Sequence, residues 1–263
     1  MGPFNYFDYC IGLTIGCRYP KKFGIIDNQG EIVDSIASTQ AFTEIIFGQK
    51  PLAVLRKGIA EIVIDIDNFI LNFRYFMPEK LESRLPKDKL SLSIISEQRP
   101  LDVGPFIKTE KNIEQIKSDF TEIFNLTFGR YLKAANIVEI DRIGFVYYFV
   151  IPYREIKITY IENLFKGADI GFAENIEKKA RNVYKYNITD NSYNYGILDF
   201  NFPNFDLSPI SKDIGMLTID VQTYFHVPKS ITNFGGVKNI VLNQIREADS
   251  FIERDIFKEV GAV

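Results

Sequence analysis

The sequence predicts an α+β fold of two similar halves, each an antiparallel β-meander covered by a long C-terminal helix. Three observations carry this expectation. Short segments rich in Ile, Val, Phe and Tyr alternate with turn residues, as strands of a half-buried sheet do. Two long stretches, Lys111 to about Leu132 and Val237 to about Glu259, repeat apolar residues at spacings of three and four, the pattern of an amphipathic helix. Finally, a single offset of 132 residues superimposes an entry strand and an exit helix. Ile11-Gly12-Leu13 meets Ile143-Gly144-Phe145 and Pro20 meets Pro152, while Ile113, Ile116 and Phe120 meet Ile245, Ala248 and Ile252. The halves are then residues 1–132 and 133–263. Between these anchors VIDIDNFI matches LTIDVQTY best at an offset near 155, so a deletion in the second half is expected.

The elements follow in order. YCIGLTIGCRY reads as a strand from Tyr9 to Tyr19, stopped by Pro20. FGIIDNQGEIVDSI reads as a hairpin whose arms, Ile25–Ile26 and Ile32–Val33, flank the turn residues Asp27, Asn28 and Gly30. TQAFTEIIFG reads as a short helix between a Thr39 cap and a Gly48 stop. In AEIVIDIDNFILNFRYF, Ile62, Ile64 and Ile66 alternate with Val63, Asp65 and Asp67, and Asn68 turns the chain into a second strand, Phe69–Phe76. LSLSIIS is a further strand, followed by the first long helix. EIDRIGFVYYFVIPY is a long strand. Short helices are expected near Glu162–Lys166 and Glu174–Asn182, then strands over Val183–Ile188, Tyr195–Phe202 and Gly215–Phe225, and the last helix.

Composition bounds the function classes. With 263 residues, 46% of them apolar and 25% charged, the chain can bury a core without disulfides or metal. The net charge of −3 lacks the basic footprint of a general nucleic-acid binder. Cys10 and Cys17 are seven positions apart. On one strand that odd separation sends them to opposite faces, roughly 23 Å apart at ~3.3 Å per residue, which rules out a bond between them. Buried reduced thiols fit a cytoplasmic protein. No apolar run is long enough to span a bilayer, MGPFNYFDYC lacks the features of a signal peptide, and Tyr6 stands where N-myristoylation wants Ser or Thr.

Few residues carry a chemical signature. In EIDRIGFVYYFVIPY, Ile143, Phe145, Tyr147, Phe149 and Ile151 share one face, and Arg142, Gly144, Val146, Tyr148 and Val150 share the other. The first is expected in the core. The second is mixed, and Gly144 leaves a gap there for a ligand or another backbone. Arg142, Gly144 and Tyr148 are therefore the candidate partner-facing residues. The strand matches only the second half of the RNA-recognition pattern, and Asp141 puts an acid where a base should meet phosphate.

Asp65 and Asp67, if on one strand, point the same way about 7 Å apart and could grip one divalent cation, with Glu61, Asp199 or Asp220 as further acids. His226 is the single histidine, so Cys/His zinc sites are excluded. NFGGVKN has neither the Walker nor the dinucleotide spacing. Arg130, Lys133, Arg142, Arg154 and Lys157 form at most a modest basic surface.

NLTFGRYLKAANIVEIDRIGFVYYFVIPY resembles the middle of a sporadically distributed prokaryotic family of uncharacterised proteins of about this length. The shared pattern is a helix ending near a Tyr, then a strand Arg142-Ile143-Gly144-Phe145-Val146-Tyr147. MLTIDVQTYF with its following helix is similar as well. Val146 departs from the family, which usually has Arg there. The resemblance implies no activity and no catalytic residues.

The expected function is a non-catalytic protein-interaction or scaffold protein, with another protein or a second copy as partner, no cofactor, no membrane and no nucleic acid. One alternative is a small-ligand module with an aromatic-lined pocket between curved sheet and helix. Another is a metal-dependent nucleic-acid hydrolase using Asp65 and Asp67.

Overall fold

The computed structural model describes residues 6–40, 42–73, 76–78, 95–96, 99–100, 107–152, 169–173, 177–202 and 214–253. Strand β1 (Cys10–Arg18) leads into two short helices, α1 (Gly24–Asp27) and α2 (Gln29–Ala37). A meander follows: β2 (Glu44–Phe47), β3 (Ala53–Lys57), β4 (Ala60–Ile64) and β5 (Asn68–Phe73). Small ladders come next, with β6 (Phe76–Pro78) parallel to β9 (Ile107–Thr109) and β7 (Ile95–Ser96) antiparallel to β8 (Arg99–Pro100). Helix α3 (Ile113–Ala134) precedes β10 (Glu139–Pro152). A second meander then runs through β11 (Asp169–Ala173), β12 (Glu177–Tyr186), β13 (Ser192–Phe202) and β14 (Ile214–Ser230) to helix α4 (Val237–Phe251).

Among the described residues these strands form one ten-stranded sheet in the order β11-β12-β13-β14-β10-β1-β5-β4-β3-β2. Every neighbouring pair in it is antiparallel. β1 and β10 lie side by side in the middle, with Gly16 opposite Gly144 and Thr14 opposite Val146.

One face of the sheet is apolar and carries the helices. Leu13, Ile15, Leu71, Phe145, Ile219 and Leu198, from five adjacent strands, are all fully buried in a single core with side chains of α2, α3 and α4. The α3 stripe does most of this work. Phe120 meets Phe73 and Phe145 edge-on at 5.0 and 5.7 Å, and Phe69 is surrounded by Phe124, Phe128 and Tyr131. Burying such rings contributes about 2–3 kcal/mol each. The helix begins on a capping box, in which the Asn112 side chain accepts from the Gln115 backbone and the Gln115 side chain accepts from the Asn112 backbone. At the other end of the sheet Phe251 of α4 stacks on Tyr186 and covers Gly196, where a Cβ would overlap its ring.

Several expectations change. The 25–33 stretch is helical, because Ile25, Ile32, Val33 and Ile36 are all buried along one side of α1 and α2. Asn28, read as a turn residue, bonds back to the Gly24 carbonyl between the two helices. The predicted helix around Thr39–Gly48 is strand β2, where three β-prone residues pair with β3. Lys178 to Asn182, read as the end of a helix, belong to β12. Its helix-favouring Lys and Ala are overridden by ladders on both sides. A β-bulge between Cys10 and Gly12 shifts the parity of β1, so both cysteines enter the core opposite Phe149 and Ile143. The helix expected at Glu162–Lys166 and most of LSLSIIS lie outside the described residues.

Candidate functional site

The second face of the sheet is where the chemically distinct residues collect. Arg142, Gly144, Val146 and Tyr148 all belong to it, as the alternation of β10 requires. Gly144 faces Gly16 across the central seam, and a side chain at Gly144 would meet Gln222 and Asp220 at ordinary contact distance. Tyr148 lies across Gly12, whose Cβ would stand 3.0 Å from its ring. The side chains of Gln222 and Asp220 border the space at Gly144, and Gly12 gives Tyr148 its seat.

Arg142 leads into a larger assembly that no short motif announces. Register places Arg142 opposite Tyr224, Tyr224 opposite Tyr193, and Lys185 opposite Tyr195. The Tyr193 and Tyr224 rings are stacked 3° from parallel with centroids 5.2 Å apart. Lys185 Nζ sits 4.2 Å from the Tyr193 ring centre, and the Arg142 guanidinium 5.4 Å from that of Tyr224. The result is a ladder, Lys185–Tyr193–Tyr224–Arg142, crossing β12, β13, β14 and β10, with a cation at each end. Tyr195 meets both tyrosines edge-on, and the His226 ring lies 5.3 Å from Tyr193. Polar bonds lock the Arg142 end: Arg142 donates to the Tyr224 hydroxyl at 3.1 Å, which donates to Gln222 Oε1 at 2.7 Å, while Gln222 Nε2 donates to Asp220. Asp220 Oδ1 is buried without a hydrogen-bond partner, and burial raises this carboxyl above the usual range. The tyrosine alternation in NSYNYG was visible in the sequence, but the register that stacks Tyr193 on Tyr224 was not.

The other half of this face carries a polar chain. Thr14 donates to Asn72 at 2.7 Å, Asn72 to Glu61 at 3.0 Å, and Arg56 pairs with both Glu61 and Glu44.

Asp65 and Asp67 do not lie on a strand. β4 ends at Ile64 and β5 begins at Asn68, so both acids occupy the turn between them. Asp65 accepts from its neighbour's backbone, Ile66 N–H, at 2.8 Å. Asp67 accepts from the Asn68 side chain and approaches Arg18 at 3.5 Å. The two carboxylates are thus engaged in shaping the turn. Asp220, by contrast, lies mid-sheet opposite Val146 and Ile197. Among the described residues no three His, Cys, Asp or Glu side chains gather as metal ligands would.

A buried ionic cluster joins α3, α4 and β10. Lys117 Nζ lies 3.0 Å from Asp249, which also accepts from the Tyr147 hydroxyl, and the Phe7 ring covers the ammonium at 4.3 Å. Burial, and then the Asp249 charge, push the Tyr147 hydroxyl well above its ordinary range. Burial pushes the nearby Cys10 thiol up to about 12. Each polar member has a partner, so this cluster clamps the helices to the sheet.

One cleft of about 520 Å³ opens beside the start of α3. Phe73, Phe76 and Ile116 form its floor, and Lys57, Lys111 and Glu122 stand at its rim. No helix among the described residues is long and apolar enough to cross a membrane. The chain matches no protein-family model and no curated protein.

Proposed function

We propose that this chain is a non-catalytic protein-interaction module that meets its partner protein on the second face of the sheet, around Arg142 and the tyrosine ladder. The carrying observation is the ladder itself. Aromatic and Arg side chains anchor protein interfaces, because they bring large contact area at low conformational cost. Here three tyrosines, a lysine and an arginine are pre-set by a four-strand register before any partner arrives. The terminal cations favour an acidic segment on the partner. A single-stranded nucleic acid fits less well. The two stacked rings face each other and the cations, which leaves little ring face for bases, and the chain's net charge is −3.

The reading is tested with the double variant Lys185→Glu, Arg142→Glu. A partner that co-purifies with the wild type should be lost while the far-UV circular dichroism stays unchanged, the melting temperature falling by a few degrees because Arg142 no longer bonds Tyr224. Retention of that partner by the double variant defeats the proposal, as does tight binding of a labelled oligothymidylate by the wild type alone.

A second reading, small-ligand binding, is favoured by the cleft beside α3. Its volume of about 520 Å³ and its aromatic floor suit a drug-sized molecule. Filling it with Ile123→Trp should abolish such binding without touching the ladder.

We further infer that the chain arose by duplication, with halves 1–132 and 133–263, and that it is kin to the prokaryotic family resembled by its central segment. The strand order supports duplication, since β1-β5-β4-β3-β2 runs outward from the seam as β10-β14-β13-β12-β11 does. Leu13 pairs with Phe73 as Phe145 pairs with Val221, an offset of 132 on the seam strands and 148 on their neighbours. Those registers replace the offset of 155 that the IDID and TIDV strings gave.

A further inference from the structure

Among the described residues strand β2 ends the sheet with a free edge and three consecutive apolar residues in view. Ile45, Ile46 and Phe47 are 41%, 41% and 55% exposed. Ile45 and Phe47 stand opposite Leu55 and Ala53, on the helix side, and Ile46 stands opposite Val54, on the second face. The edge is therefore apolar on both sides. Natural sheets blunt such edges by shortness, Lys, Pro or a bulge; β2 is short, at four residues, but Glu44–Phe47 contains no Lys and no Pro, and its pairing with β3 has no register shift. Its one charge, Glu44, is already bound inward to Arg56 at 2.8 Å.

The backbone says what can cover it. Gly48 N–H bonds the Leu52 carbonyl at 2.9 Å, so the even positions of this strand hydrogen-bond inward to β3. The N–H and C=O groups of Ile45 and Phe47 consequently point outward, where water meets them in the monomer and an extended strand is the protein element that pairs with both. The sequence then selects among strands. An antiparallel copy of β2, related by a two-fold axis normal to the sheet, must pair residues of like parity, because both copies keep their helices on the same side. Placing Ile46 on the axis pairs Ile45 with Phe47 of the second copy twice, in the hydrogen-bonded positions that the outward groups require. It sets Ile46 against Ile46 in the non-bonded position and Glu44 against Gly48, where there is no side chain to meet. Every apolar residue finds an apolar partner and no charge is buried.

We propose that β2 is a homodimerisation edge, and that two copies pair through it in this register to make one continuous twenty-stranded antiparallel sheet. This is independent of the partner surface around Arg142, which lies on the far side of the central seam.

Sedimentation equilibrium of the full chain over the micromolar range provides the first test, with a monomer–dimer equilibrium as the expected result. Ile46→Lys puts two ammonium groups in contact across the axis, and Ile45→Pro deletes an outward N–H while leaving the β3 ladder whole. Both variants should sediment as monomers with the wild-type far-UV circular dichroism, and their melting temperatures, unlike that of the wild type, should not depend on protein concentration. Ile46→Cys tests the register. Cα atoms in a non-bonded antiparallel pair are about 4.5 Å apart, within disulfide reach, and Cys10 and Cys17 are buried away from the edge. Mild oxidation should give a covalent dimer on a non-reducing gel. A wild-type chain that stays monomeric overturns the proposal, as does a dimer that survives both Ile46→Lys and Ile45→Pro. Failure of Ile46→Cys to crosslink while the dimer forms overturns the register.

Discussion

Tyr193 and Tyr224 face each other across β13 and β14 with ring planes 3° apart, and each carries a cation on its outer side. The Tyr224 hydroxyl also ties Arg142 to Gln222. Stack and hydroxyl separate by mutation. Tyr224→Phe keeps the stack and should cost about 1 kcal/mol, the usual net value of lost hydrogen bonds. Tyr224→Ala removes the stack as well and should cost about 2 kcal/mol or more. Urea melts of the two variants measure the difference, and equal costs would mean that the stack contributes nothing.

The Lys117–Asp249 pair should be strongly coupled. Its side chains are 7% and 27% exposed, so removing one charge strands the other in a poorly solvated place. Asp249→Asn should destabilise by about 2–3 kcal/mol and Lys117→Met by somewhat less. The double variant should cost less than the sum by roughly 1–3 kcal/mol. Asn at 249 can still accept from the Tyr147 hydroxyl, so the cycle isolates the ion pair. Strict additivity in chemical denaturation would show that the charges do not act together.

Asp220 gives a pH-dependent prediction. Burial raises its carboxyl above the ordinary range in the folded protein. The folded state therefore holds this proton more tightly than the unfolded one. The stability linked to it is fully present below the unfolded carboxylate range and is lost as pH rises through the higher folded value. Asp220→Asn, which keeps the shape and removes the charge, should raise the melting temperature at pH 7 and make no difference near pH 3. A lower melting temperature at pH 7 would mean that Arg142 stabilises the carboxylate more than burial penalises it.

The cysteines give a chemical one. Burial raises the Cys10 thiol to about 12 and moves Cys17 in the same direction. At pH 8 both stay protonated and enclosed, and neither should react with Ellman's reagent until the chain is unfolded in guanidinium, when two thiols should titrate. Because the folded values lie above the unfolded ones, these thiols should also weaken the fold as pH rises beyond their ordinary range, about 8.5. A fast-reacting thiol in the native protein would place one of them outside the core.

The sequence made the helix stripes and the central strand legible because their periodicities are long. Ile116, Phe120, Phe124 and Phe128 mark one face of α3 through several turns, and Ile143 to Phe149 mark one face of β10. Short elements were misread where composition and context disagree. EIIF has too few residues to show a period, and its strand character comes from β3 beside it. Lys178 to Asn182 favour a helix locally and are held extended by β11 and β13. The bulge at Ile11 leaves no mark in the composition, yet it decides the side of Cys10. Of the candidate site, Arg142, Gly144 and Tyr148 were legible through the alternation of one strand. The ladder beyond Arg142 was not, because it depends on which residues of β12, β13 and β14 stand opposite one another.

The central seam also governs the order in which the protein can be made. β1 comprises residues 10–18, and its partner β10 begins at residue 139. During synthesis the meander β2–β5 can form from neighbouring hairpins and accept β1 on one side. The other side of β1 must wait for some 120 further residues to leave the ribosome. Throughout that interval a strand carrying Leu13, Ile15 and Cys17 presents an unpaired edge, and contacts of such long sequence separation are slow to form. The growing chain is thus most exposed to aggregation and most in need of a chaperone while its midpoint is being translated.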